Sequence, residues 1–463
     1  MKAHQLIRVI AHYDWGSDTK TLLRLYRSLV RSKLDYGSIV YMSGDRSGLE
    51  KLNIVHRHGL RLCLGAFKSS PIEALYAEAN ELPLELRREE LAMRYAQKIK
   101  SNPDNAVYDS IFKRPYRHLY EHTDFKSLGE SISILFREAD INTGNIMTSE
   151  VPDTPIWDSE PNEVSFDLSI YDKSSTSPEL FRSKFSEILH NYKDCGHIYT
   201  DGSKQNEKAA FGMTCQRVSL SDRIEDDSSI FTAELEAIDA ALDLISECTD
   251  HKKFVIFSDS KSALESIQNQ ISKNPLVIHI LDRLQLLKNK GFSIKFCWIP
   301  SHVGIRGNEK ADLKAKAALN RVKVNTYKFP YTDYIPKVKK YVRNKWQQRW
   351  EEKHQVRSIK LFEIMPVLGP VYLNGLPRKD EIKIHRLRIG HTRTTHKYLM
   401  EGTGAPYCDR CNDGSLFTVK HILIDCSYLT GIRWNHYTAR NMKELFEKIH
   451  ISFLWDANLY DEI

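Results

Sequence analysis

The spacing of apolar residues changes twice along the chain. From Thr19 to about Ser110, the stretches LLRLYRSLVRSKLDYG, LEKLNIVHRHGLRLCLG and PLELRREELAMRYAQKIKS carry apolar residues three and four apart with arginines and lysines opposite. That spacing predicts amphipathic helices with a cationic side. From about Phe112 to Lys193 the periodicity fades into mixtures of Pro, Ser and acids such as SEVPDTPIWDSEPNEVSFDLSIYDKSSTSPEL, which reads as a linker laid along its neighbours. From His197 to Leu319, strand-like runs alternate with helical ones. IYTDGSK and AAFGMTCQ read as strands, a third strand is expected between Arg217 and Ser229, and TAELEAIDAALDLI reads as a helix. FVIFSD follows as a buried strand, SKSALESIQ and PLVIHILDRLQLLKNKG as helices, SIKFCWIP as a strand and NEKADLKAKAAL as a closing helix. From Tyr334 onward the pattern is helical again, and basic at KVKKYVRNKWQQRW and IKIHRLRIGHTRTTHKYLM. The expected architecture is an α/β domain over 194–325, a five-stranded mixed sheet with flanking helices. An N-terminal α-helical module (1–111) and a linker (112–193) precede it, and a basic helical tail (326–463) follows.

Composition adds modest constraints. A chain of 463 residues is long for one core, and 67 Lys and Arg against 60 Asp and Glu give a formal charge of +7, compatible with a nucleic-acid partner. No apolar run is long enough to cross a bilayer, and the first residues, MKAHQLIRVIAHYDWG, are too polar for a signal peptide. The expectation is a cytoplasmic or nuclear protein that is not secreted, whose eight cysteines are not a disulfide framework.

Four acids of the central domain stand at element ends. Asp201 follows HIYT, Asp259 ends FVIF at the carboxyl edge of a buried strand, Glu234 opens a helix after Thr232, and Asp312 lies in the closing helix. Alone, each has an ordinary account as a turn residue or a helix-start acid. Together they would raise each other's pKa unless a cation neutralised them. Mg²⁺ suits such a set, with Mn²⁺ as a substitute, and two ions about 4 Å apart can clamp the attacking and leaving oxygens of a phosphodiester. His302 follows Pro300 in a loop that Gly304 and Gly307 are expected to keep mobile, and Asn308 reads as the N-cap of the closing helix. Taken alone His302 is a solvated loop residue; beside a metal pair it could carry a proton at neutral pH.

The set TDGS, TAELEAI, SDSKSAL and SHVGIRGNEKAD resembles the type 1 ribonuclease H family in order, local sequence and element context over about His197–Leu319. The resemblance implies a ribonuclease H-like fold and cleavage of the RNA strand of RNA–DNA hybrids with two magnesium ions, leaving a 3′-hydroxyl and a 5′-phosphate. It implies Asp201, Glu234, Asp259 and Asp312 as metal ligands, and His302 as an aid to proton transfer and product release. Two departures stand out. Ile230 and Phe231 occupy the place before Glu234 where the family often has an Asn-rich segment against the minor groove, and ISKNP leaves no room for the basic insertion of bacterial members.

The N-terminal helices resemble the thumb and connection of reverse transcriptases from Jockey-like non-LTR retrotransposons. No Tyr/Phe-x-Asp-Asp polymerase motif occurs in the sequence, so no reverse transcriptase activity is expected of this chain, and a polymerase acting in trans is the implied partner. In the tail, Cys408-x2-Cys411-x9-His421-x4-Cys426 has the ligand types and spacing of a structural zinc knuckle for Zn²⁺, with Asp425 as a substitute ligand. Ordinary reduced cysteines are the alternative. Jockey-like elements often end in a similar unit, and Arg386, Arg388, His391, Arg393 and Lys397 before it are expected to contact phosphates or to form a solvated basic face. The reading is a magnesium-dependent ribonuclease H of retroelement origin that binds RNA–DNA hybrid, with single-stranded RNA as a further candidate partner. The rival is a catalytically idle, nucleic-acid-binding remnant; an exonuclease or recombinase of related fold fits the SHVG loop and Asn308 less well.

Overall fold

The computed structural model describes residues 2–113, 126–149, 160–216, 218–322, 328–373, 375–411, 413–435 and 437–448, with the single residues 118 and 155. Most of 114–125 and 150–159 in the expected linker, Arg217 at the expected start of the third strand, and the last residues of the tail lie outside the described residues. The chain divides into two compact units, Met93–Lys339 and Met1–Ala92 with Lys340–Ile463.

The first of these is built on a mixed sheet of six strands where five were expected. In chain order they are β1 (Val164–Ser165), β2 (Gly196–Gln205), β3 (Lys208–Cys215), β4 (Ser219–Arg223), β5 (Lys253–Ser258) and β6 (Ser293–Trp298), arranged β1-β6-β5-β2-β3-β4. The first three neighbour pairs in that row are parallel and the last two antiparallel. The extra strand comes from the stretch expected to be a linker: Val164 pairs with Phe296 and Ser165 with Cys297, a ladder too short to leave a period in the sequence. The same stretch supplies helix α1 (Pro178–Asn191), capped by Ser177, whose Phe181 and Phe185 pack on Val255, Phe257 and Cys297. A linker over 112–193 is therefore not what the described residues form: Leu128–Glu138 in its first half is a helix capped by Ser127 with Ile132, Leu135 and Phe136 buried, and the aromatic residues of its second half cover one face of the sheet.

The opposite face is covered by α2 (Ile230–Ser246), α3 (Lys261–Gln268) and α4 (Pro275–Asn289). In β5, Phe254 and Ile256 enter that core while Val255 and Phe257 enter the α1 core, which is why these four successive residues are all apolar. A last helix, α5 (Arg306–Ala318), lies against β2, β3 and β4.

The second unit joins the N-terminal helical module and the basic tail, which the sequence reading had kept apart. Glu78, fully buried, accepts hydrogen bonds from His385 Nδ1 (2.8 Å) and Arg388 Nε (2.8 Å), and Arg349 pairs with Glu73 and Glu85. Ile382 packs where Gly65 turns the chain at φ 64°; a Cβ on Gly65 would come within 2.5 Å of it. The apolar and acidic faces of the N-terminal helices thus find their partners more than 260 residues away. Two of the residues expected to meet phosphate, Arg386 and Arg388, are engaged internally, by the Gly65 carbonyl and by Glu78. His391 is buried, whereas Arg393 and Lys397 are exposed.

Candidate functional site

The parallel ladder between β2 and β5 ends at Thr200 and Ser258, and the next residues are Asp201 and Asp259. Asp259 therefore leaves β5 at its carboxyl end, the edge where open α/β sheets place their sites, and Asp201 lies inside β2 at the point where its parallel pairing with β5 stops. Glu234 joins them from the first turn of α2, and carboxylate oxygens of Asp201, Glu234 and Asp259 all lie within 4.8 Å of one another. α2 starts where it does because Ser229 caps it, accepting a hydrogen bond from the Thr232 N–H at 3.1 Å.

Two glycines let the helices come close enough. Gly202, next to Asp201, faces the backbone of α2, and a Cβ there would stand 2.8 Å from the Glu234 nitrogen. Gly212, the cross-strand partner of Asp201, faces α5, and its Cβ would stand 2.4 Å from the Ala311 carbonyl oxygen and 2.6 Å from the Ala315 nitrogen. Asp312, next to Ala311, is thereby brought beside Asp201 and contributes to its electrostatics. It stands at the margin of the cluster, half-buried, with its Oδ2 accepting a hydrogen bond from Lys316 Nζ at 2.8 Å. The role of Gly202 and Gly212 was not apparent from sequence, since close approach of two helices to one strand has no local signature.

Asn308 is not the N-cap. The helix begins at Arg306, because the Ile305 carbonyl already accepts the Glu309 N–H at 3.0 Å and the Glu309 carboxylate reaches back to the Gly304 N–H at 3.1 Å. Asn308 is buried in the first turn, and its Nδ2 donates to Asp259 Oδ2 at 3.2 Å. The Trp298 indole N–H donates to the Asp259 carbonyl at 3.0 Å, so both ends of this residue are held. Nor is Gly307 a source of loop mobility: it lies in α5, where a Cβ would meet the Tyr199 ring at 2.4 Å. His302 is exposed, on a left-handed backbone with φ 55°, and its charge acts on Asp259.

Burial sets the electrostatics. It pushes the Asp201 carboxyl up to about 9, with the charges of Asp259 and Asp312 adding to the effect. Glu234 is raised well above the carboxylate range by burial and by Asp201 and Asp259. Asp259 is also raised by burial, against hydrogen bonds from Asn308 and Asp201 that favour its charge. Oε2 of Glu234 is buried with no hydrogen-bond partner. Such an atom fits a hard cation, which would satisfy it and neutralise three acids that cannot otherwise all ionise together.

The second group of metal-type ligands is in the tail. Tyr407 and Leu416 form a bridge that brackets Cys408 and Cys411, a wide helical turn of π type carries His421, and Cys426 ends that turn. The three sulfurs and one imidazole nitrogen lie within 4.8 Å of one another. Tetrahedral Zn–S bonds of about 2.3 Å would set sulfurs roughly 3.8 Å apart, so this donor set fits zinc in number, type and spacing. Burial opposes the Cys408 thiolate, yet the backbone N–H groups of Arg410 and Cys411, with His421, bring it down to about 6. Asp413, which accepts the Cys411 thiol at 3.0 Å, had not been singled out from the sequence, and Asp425 is outside the group.

Three acids converging where the parallel pairing of β2 and β5 ends form a group that could hold a divalent metal ion. The RNase H family model matches residues 194–320, so the chain carries an RNase H domain. No curated protein matches the chain. Solved structures do, among them RNase H1 from the halophilic archaeon Halobacterium salinarum NRC-1. It is 22% identical with a TM-score of 0.23, over 27% of this chain and 97% of that one.

Proposed function

We propose that the 194–320 domain is an endoribonuclease of type 1 that hydrolyses the RNA strand of RNA–DNA hybrids. The observation that carries this reading is the buried, unpartnered Glu234 oxygen between Asp201 and Asp259, in a domain of the RNase H family. Asp201, Glu234 and Asp259 would hold Mg²⁺, with Asp312 completing the set from beside Asp201. Two such ions, when bound, supply charge neutralisation on the attacking and leaving oxygens. Asn308 and the Trp298 indole keep Asp259 at one position, and Lys316 pairs with Asp312 along the face of α5. His302, exposed on its loop, would take or give a proton through an imidazole nitrogen as the leaving 3′ oxygen departs. Phe231 is half-buried against the core and Ile230 is exposed at the start of α2. Discrimination of hybrid from DNA would therefore use apolar contact near Glu234.

The tail cluster is read as a structural zinc site that folds a segment with little apolar content of its own. The flanks support an origin in the C-terminal part of a Jockey-like retroelement polyprotein, with a reverse transcriptase acting in trans to make the hybrid. Among the described residues no helix is long and apolar enough to cross a membrane.

The test is cleavage of an end-labelled RNA–DNA hybrid with and without Mg²⁺, beside single-stranded RNA and DNA duplex. Metal-dependent cleavage of the RNA strand alone, lost in Asp259→Asn, is expected. Binding without cleavage at any Mg²⁺ or Mn²⁺ concentration would replace the enzyme with an idle binding remnant.

A further inference from the structure

The unit formed by residues 1–92 and 340–463 contains a cleft of about 820 Å³ that the hydrolytic site does not use. Its walls are strongly cationic, and the acids among them are already taken. Glu50 is paired with Arg57, while Glu73 and Glu85 are both paired with Arg349. Arg61, Lys68, Lys353, Arg357 and Lys360 also line the cleft, and among the described residues none of these five makes an ion pair.

The placement of the cations carries the inference further. Arg57 and Arg61 are four residues apart on the helix Arg46–Leu64, and Arg349, Lys353 and Arg357 follow one another at the same interval on the helix ending at Arg357. Like charges at that spacing share a helix face and repel each other; carboxylates of the cleft offset Arg57 and Arg349, while Arg61, Lys353 and Arg357 on the same faces are left for an external anion to offset. Nε of Arg61 and Nδ1 of His391, two polar atoms of the cleft wall, are buried and have no hydrogen-bond partner. Burial and the neighbouring Arg57 also hold the Arg61 guanidinium below its usual range. Apolar Val356 and Ile72, both exposed, interrupt the cationic lining.

We propose that this cleft binds the backbone of a single-stranded nucleic acid, with Arg61, Lys353, Arg357 and Lys360 on successive phosphates and Val356 and Ile72 against base faces. Cations interleaved with apolar surface suit a polymer that alternates charge and flat rings. The unpaired charged groups in the cleft are guanidinium and ammonium donors suited to phosphate oxygens, so recognition rests on the backbone and is independent of sequence.

Full-length protein is titrated, without added Mg²⁺, with a fluorescent twelve-nucleotide oligouridylate at several salt concentrations. The triple variant Arg61→Gln, Lys353→Gln, Arg357→Gln is expected to bind at least about tenfold more weakly, and its slope of log K against log salt to fall by about 2, at ~0.7 per phosphate contact. Arg61→Lys with Arg357→Lys keeps the charge and should keep the slope. If the triple variant melts early, Lys353→Gln alone, an exposed change, is read for a slope loss of about 0.7. Unchanged affinity and slope would overturn the proposal. So would equal displacement of the oligonucleotide by polyglutamate of the same length, or a loss seen with blunt hybrid and not with the single strand. None of these readouts depends on hybrid cleavage.

Discussion

Replacing Gly212 by alanine tests whether close seating of α5 makes the site. The new Cβ would stand 2.4 Å from the Ala311 carbonyl oxygen and 2.6 Å from the Ala315 nitrogen, where ordinary contact begins at 3.4 Å. Both obstacles are helix backbone, so no side-chain rotation relieves them, and α5 must retreat by about 1 Å, a misplacement that can cost on the order of 10²-fold in rate. Overpacking of this kind destabilises by about 1–3 kcal/mol. Asp312 and Asn308 ride on that helix, so the retreat would move one acid from Asp201 and the donor from Asp259. The expected variant is folded, melts several degrees lower, and cleaves hybrid roughly a hundredfold more slowly at saturating Mg²⁺. Gly48→Ala, where the added methyl meets nothing within 4 Å, serves as the control. If Gly212→Ala cleaved and melted like the parent, the contact between α5 and β3 would not be what sets the geometry.

In protein dialysed free of magnesium, Asp201, whose pKa is raised in the folded state to about 9, contributes stability that is full at low pH and is lost as pH rises through that value. Melting temperature should thus fall between pH 5 and pH 9, less so in Asp201→Asn, and added Mg²⁺ should restore the parent but not the variant; an identical pH profile in the two would contradict the cluster. His302→Ala should slow cleavage by about 10²-fold or less, since it removes a proton carrier and no metal ligand, and a silent substitution would return His302 to the solvent. Asp333→Ala should cost about 1–2 kcal/mol in denaturant melts, because its Oδ2 accepts the Ser229 N–H at 2.9 Å and the Thr232 hydroxyl at 2.6 Å at the start of α2. Metal analysis should find about one zinc per chain, absent from the Cys408→Ser, Cys411→Ser variant; zinc-free protein purified under reducing conditions would leave three ordinary cysteines.

Asp201, Glu234 and Asp259 were legible because each has a local signal: TDGS after an apolar run, a helix that begins, a run of apolar residues that stops. The tail ligands were legible through their spacing, and the structure brings all four together. What escaped depends on distant partners. Gly-Asn before a helical run looks like a cap, yet the reach of Glu309 to Gly304 starts the helix earlier and frees Asn308 to hold Asp259. Nothing local marks Val164 and Ser165 as a strand, since only the open edge of β6 makes them one. The basic run from Arg386 suggested a phosphate surface, but buried Glu78 lies far away in sequence and claims Arg388.

Asp333 lies beyond the last residue of the family match, and α1 and β1 lie before its first. The stretch that inheritance delimits is thus shorter than the stretch that folds. A piece cut at 194 and 320 would leave Val255, Phe257 and Cys297 without the aromatic cover of α1, and α2 without the carboxylate at its start. Excision at 160 and 339 would keep both. A module that borrows its lid from one neighbour and its helix cap from the other cannot be moved intact into a foreign chain by copying only the part that looks familiar.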